Sequence, residues 1–153
     1  MKYYQPLFLL MLPLFFTCAL PKSIELEEAS SQVIIDGNDL MLDTYLWRDF
    51  MPIAPPNGRN LIGQLLIHRE DFSPFKPLFS VTGVYIYDDD EWLWSVKPEE
   101  KTYEINGSNQ VEVVVRDGPK LDTDLKVDVI VVLEFKGERY LLKADDQTIH
   151  RTY

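Results

Sequence analysis

A chain of 153 residues, 46% apolar and 12% aromatic, has the material for one hydrophobic core, and too much of it to stay disordered despite a formal net charge of −10. Acidic residues outnumber basic ones 25 to 15 and no basic run occurs, which argues against DNA, RNA and anionic lipid headgroups as partners, since these are held by clustered Lys and Arg.

The amino terminus reads as a signal peptide over residues 1–19. Lys2 supplies a short positive region, and an apolar stretch from Leu7 to Phe16 follows, with no charge until Lys22. A membrane span would need about 20 apolar residues, and Pro6 and Pro13 interrupt this stretch as a helix. Two processing sites are written side by side. Thr17-Cys18-Ala19 offers small residues for a cut after Ala19. Phe15-Phe16-Thr17-Cys18 resembles a bacterial lipoprotein box, with a signal over 1–17 and Cys18 as the lipidated first residue, although Phe15 and Thr17 depart from its usual Leu and small residue. Cys18 is the only cysteine, so a mature domain in which it is lipidated or removed must hold itself together without disulfides.

Residues 20–31, with Glu25, Glu27 and Glu28, have the composition of a polar tether. From 32 to 153 the dominant period is two. The clearest strand carries Leu125, Val127, Val129, Val131, Leu133 and Phe135 on one face and a mixed set on the other. A two-residue Gly137-Glu138 turn after it would set Phe135 opposite Tyr140, Leu133 opposite Leu142 and Val131 opposite Ala144. Further strands are expected at 32–35, 41–50, 61–68, 79–84 and 111–116. Asp36-Gly37, Pro55-Pro56-Asn57-Gly58, Ser73-Pro74, Asn106-Gly107 and Asp117-Gly118-Pro119 punctuate them as turns. The expected fold is an all-β, antiparallel β-sandwich of immunoglobulin-like kind with about seven or eight strands.

A second hairpin is expected around Asp88-Asp89-Asp90-Glu91, with Tyr87 opposite Trp92 and Tyr85 opposite Trp94. This aromatic ladder could present a platform for sugars or an extended segment, but Ile86 and Leu93 make the reverse face apolar too, so core packing is the first reading. The four acidic residues Asp88, Asp89, Asp90 and Glu91 are weak calcium candidates. They lack the spaced ligand-and-glycine pattern of a calcium loop and read first as a solvated tip. Arg48-Asp49 and Arg116-Asp117 each join a guanidinium to a carboxylate and could line a cleft, although neighbours on a strand point to opposite faces. His150 has no nameable nucleophile to serve as a base for, and reads as a surface histidine.

Several segments resemble those of an uncharacterised family of small exported bacterial proteins: LDTYLWRDFMP (42–52), PPNGRNLI (55–62), RDGPK (116–120) and YLLKADDQTIHRT (140–152). That resemblance implies export and a single domain and transfers no catalytic residue.

The obligatory parts of several mechanisms are missing. Only His68 and His150 could join a zinc set, the seven glycines are isolated, and no Gly-x-Ser-x-Gly elbow occurs. No catalytic residue, metal site or cofactor is therefore expected. The leading expectation is a non-catalytic cell-envelope binding module, periplasmic or anchored through Cys18, otherwise secreted. Its partner would be an envelope protein or a glycan. A glycan hydrolase using two carboxylates, or a carbohydrate-binding domain, is the alternative.

Overall fold

A computed structural model describes residues 28–98 and 110–153. The residues expected to form a signal peptide, Cys18 and the expected Asn106-Gly107 turn lie outside the described residues. Eight strands follow in chain order: β1 (Val33–Ile35), β2 (Asn38–Asp49), β3 (Leu61–Arg69), β4 (Ser80–Asp88), β5 (Glu91–Val96), β6 (Val111–Gly118), β7 (Lys126–Phe135) and β8 (Glu138–Thr152). They form one strongly curled sheet, a half-barrel, in the order β5-β4-β7-β8-β2-β3-β6, with β1 hairpinned onto β2. The chain is all-β as expected. Its pairing, however, is mixed rather than wholly antiparallel, because β2 and β8 run parallel from Leu46↔Ile149 to Asp49↔Thr152.

That parallel pair exists because β8 serves two partners. Its first part pairs with β7 as far as Lys126↔Thr148, and only its last residues reach β2. The change of direction sits at a bulge. Val127 pairs with Gln147 and Val129 with Ala144, so β8 carries one extra residue there, and Asp146 takes a left-handed φ of 56°. Bulges increase local twist, and here one turns the strand from one half of the sheet into the other.

Turn chemistry sets the remaining registers. Asp36 (φ 50°) and Gly37 (φ 75°) close β1 onto β2 as a two-residue turn with both central residues left-handed, the geometry that matches strand twist. The β7–β8 turn uses Lys136 (φ 52°) and Gly137 (φ 82°) rather than Gly137-Glu138, so Leu133 faces Tyr140 and Val131 faces Leu142. Moving the loop by one residue changes every partner by two positions. The apolar faces therefore still coincide.

The inward positions Leu40, Leu42, Leu46, Leu65, Ile67, Val113, Val115, Val129, Val131 and Leu142 belong to one core spanning both halves of the sheet. A second cluster, Tyr87, Ile130, Val132 and Leu141, lies on the outer face of β4, β7 and β8, with Ala29 and Tyr85 packed against it. Ser30 is bonded into this region through Ser30 N to Leu141 O and Lys143 N to Ser30 O. The carboxyl end of the segment read as a tether is thus docked on the domain.

Candidate functional site

The aromatic ladder expected on the β4–β5 hairpin is broken by a bulge. Tyr87 faces Trp92 as expected, but Ile86 faces Trp94 and Tyr85 faces Ser95. The extra residue in β5 flips Trp94 to the inner face, where it packs on the main core, while Tyr85 and Tyr87 stay on the outer face. Trp92 is 59% exposed and departs from the core reading, whereas Tyr87 is buried and Trp94 and Tyr85 are packed against the two hydrophobic clusters. The four rings do not share one face. At the hairpin tip Asp88 pairs with Glu91, and Asp89 turns with φ 49°. Among the described residues no three His, Cys, Asp or Glu side chains converge as a metal set.

The chemistry gathers instead at the end of the sheet where β2 meets β3 and β6 leaves for β7. Loop 50–60 is folded on itself by Ala54 N to Met51 O and Gly58 N to Pro55 O, and its base is closed by Arg59 N to Asp49 O. Beneath it Arg48 is buried. Alternation along β2 turns it inward, and three carbonyls receive its guanidinium: Nε donates to Arg59 O at 3.0 Å, Nη1 to Leu121 O at 2.7 Å, and Nη2 to Asn57 O. A buried cation requires such donors to be satisfied, and the planar fork of arginine can address three acceptors at once. The guanidinium also lies 5.1 Å from the centre of the Phe50 ring, which Arg151 approaches at 3.8 Å. Gly58 completes the corner. Its φ is 70° and an added Cβ would fall 2.5 Å from Phe50 Cζ, so no other residue fits without moving the loop.

Arg48 thereby ties loop 50–60 to the β6–β7 connection, and between these two segments opens a cleft of about 390 Å³. Arg59, Arg116 and Lys120 line it with Asp117, over an apolar wall of Pro55 and Ile62. Arg59 is shared with Asp49 (Nε to Oδ2, 3.4 Å) and Lys120 donates to Asn57 Oδ1 at 2.8 Å. Arg116 is exposed and has no hydrogen-bonding or ionic partner among the described residues. Strand alternation would place Arg116 and Asp117 on opposite faces. Asp117, however, adopts φ 62° where the β3–β6 register shifts, so both side chains line the cleft. In a chain with a net charge of −10, three cations against one carboxylate is a local inversion of sign.

Beside the cleft, the outer face of the sheet carries a set of rings that sequence reading passed over. Tyr45 stacks on His150 with centroids 5.1 Å apart and 18° between planes, and lies 5.3 Å from Trp47. The signal was present: Tyr45 and Trp47 are two apart in a strand of period two, with Leu46 and Arg48 committed to the interior. His150 is a surface residue, as expected, and joins this group because Trp47 pairs with it in the parallel β2–β8 ladder. The other histidine, His68, is buried, 3.0 Å from Asp43 Oδ2 through Nε2 and stacked on Phe72 at 4.2 Å.

No protein-family model, curated protein or solved structure matches this chain.

Proposed function

We propose that this chain is an exported, non-catalytic cell-envelope binding module that receives an anionic group of its ligand in the cleft between loop 50–60 and the β6–β7 connection. The observation that carries this reading is the guanidinium of Arg116, without a partner among the described residues and set beside Arg59 and Lys120 at a concave, partly apolar site. Carboxylates, sulfates and phosphates are the groups such a set recognises. The signal-peptide pattern of residues 1–19 supports export, and lipidation of Cys18 would hold the domain at a membrane. The two halves of the sheet packed over one core support an immunoglobulin-like sandwich reading, with loops at one end as the recognition surface. The segments 42–52, 55–62 and 116–120, on which the resemblance to small exported bacterial proteins rests, all contribute to this corner. A carboxylate-dependent hydrolase is less well supported, because one carboxylate, Asp117, lines the cleft and Asp49 is engaged with Arg59.

Titrating the purified exported protein with inorganic phosphate, sulfate and acetate, and following backbone amide shifts, tests this reading. The expected shifts cluster at 55–62 and 116–120 and disappear in Arg116→Gln/Lys120→Gln. Shifts scattered over the surface, or none, would overturn it.

A further inference from the structure

The rings and the cleft belong to one cross-strand row. Trp47 pairs with His150 on one side and with Ile62 on the other, and Ile62 lines the cleft together with Arg116 of the next strand. The row His150, Trp47, Ile62, Arg116 therefore crosses β8, β2, β3 and β6 on the outward face, with Tyr45 stacked against His150 at one end. Strands lie about 4.8 Å apart, so Trp47 and Arg116 are separated by two spacings, or roughly 10 Å.

We infer that this row is an extended subsite for an acidic oligosaccharide, with one sugar ring lying on the Tyr45, Trp47 and His150 group and the carboxylate of a neighbouring sugar entering the cleft. The inference rests on the anion-binding reading of that cleft. Ring faces at one end and guanidinium and ammonium donors at the other match a ligand that repeats flat apolar surfaces and negative charges along its length. An acidic monosaccharide spans too little to use both ends. An extended acidic peptide is less suited, because peptides bind sheets by adding to a free edge. Three of the four strands the row crosses, β8, β2 and β3, are interior, and the backbone groups of β2 and β3 are already engaged in ladders on both sides; only Arg116 lies on the terminal strand β6. Tyr45 is 45% exposed and His150 and Arg116 are exposed, so the row is open to solvent at both ends.

The test compares four probes on the full exported protein by calorimetry and tryptophan fluorescence. They are a uronic-acid tetrasaccharide, its carboxyl-reduced neutral counterpart, glucuronic acid alone, and a tetraglutamate peptide. The tetrasaccharide should bind at least about tenfold more tightly than each of the others. Tyr45→Ala and His150→Ala, both surface changes, should weaken it about fivefold to tenfold, as expected for loss of ring stacking. They should leave the inorganic phosphate shifts at 116–120 intact. Equal binding of the tetraglutamate, equal binding of glucuronic acid, or indifference to Tyr45→Ala and His150→Ala would overturn the oligosaccharide inference while leaving the anion cleft standing. Binding to phosphatidylglycerol vesicles in place of the tetrasaccharide would overturn it in favour of a lipid headgroup. Loss of the phosphate shifts in the unaltered protein would remove the cleft itself, and the two failures are thus distinguishable.

Discussion

At the corner beneath the cleft, Arg48 holds three backbone carbonyls from two loops that, among the described residues, share no other hydrogen bond except Lys120 to Asn57. Removing the guanidinium leaves those carbonyls facing a site from which water is largely excluded. An unsatisfied buried group costs about 1–3 kcal/mol, so Arg48→Met is expected to cost about 2–4 kcal/mol in a urea melt. Arg48→Lys keeps the charge but cannot reach three acceptors in one plane, and should recover only part of that loss. In both variants the anion-induced shifts at 116–120 should fade, because the loops that shape the cleft lose their tie. A melt indistinguishable from the unaltered protein would show that Arg48 does not hold the corner. Some of this was legible in the sequence: alternation alone assigns Arg48 and Asp49 to opposite faces, and so they lie. What alternation could not reveal is that Arg116 and Asp117 share a face. A left-handed residue breaks the period of two, and Asp-Gly reads as a turn whether or not a strand runs through it.

The bulge in β8 does for the sheet what Arg48 does for the loops. Asp128, opposite the extra residue, accepts from Asp146 N at 3.1 Å and from Lys143 Nζ at 2.8 Å, and Lys143 also reaches Asp145 at 2.5 Å. These carboxylates, Asp128 first and Asp145 second, push the Lys143 ammonium above its ordinary value of 10.5. Tyr87, on the outer face of the same half-sheet, is raised above 10.0 by burial and by the neighbouring Tyr85. The sign is the same for both groups. A value raised in the folded state contributes stability that is whole below the unfolded value and is lost as pH rises through the folded one. Melting temperature should therefore be flat with respect to these groups up to about pH 10 and decline above it. Lys143→Met and Tyr87→Phe should each lessen the decline, since each removes a titrating group. A decline of unchanged steepness in the double variant would show that the alkaline limit lies elsewhere. The strands around this bulge were legible from periodicity, and the alternate apolar face of β7 proved to be the core face. The bulges in β5 and β8 were not legible, because one inserted residue leaves local composition unchanged while reversing every face beyond it. That reversal separated Trp94 from Tyr85 and Tyr87.

Curling of the whole sheet brings its two ends together. β5 and β6 are the terminal strands of the order, yet Trp94 of β5 reaches Gly118 of β6, where an added Cβ would lie 3.1 Å from Trp94 Cζ3 and 3.0 Å from Leu61 Cβ. Gly118 is buried, and the absent side chain is what lets the indole close the half-barrel against β6. This closure also stands next to the cleft, since Asp117 and Lys120 flank Gly118. No local pattern could have announced it: the two residues belong to opposite edges of the sheet, and only the accumulated twist of the intervening strands makes them neighbours. Gly118→Val places a branched side chain into that contact. Overpacking of this kind costs about 1–3 kcal/mol, and the strain can be relieved by moving Trp94 outward. In a Trp47→Phe/Trp92→Phe background, which leaves Trp94 as the one indole, Gly118→Val should lower the urea midpoint and shift the Trp94 emission to the red. Gly118→Ala should do the same to a smaller degree, because its Cβ meets the same two atoms without a branch. If stability and emission are both unchanged in the valine variant, the edges are not held together by Trp94, and the half-barrel must owe its curvature to the bulges alone.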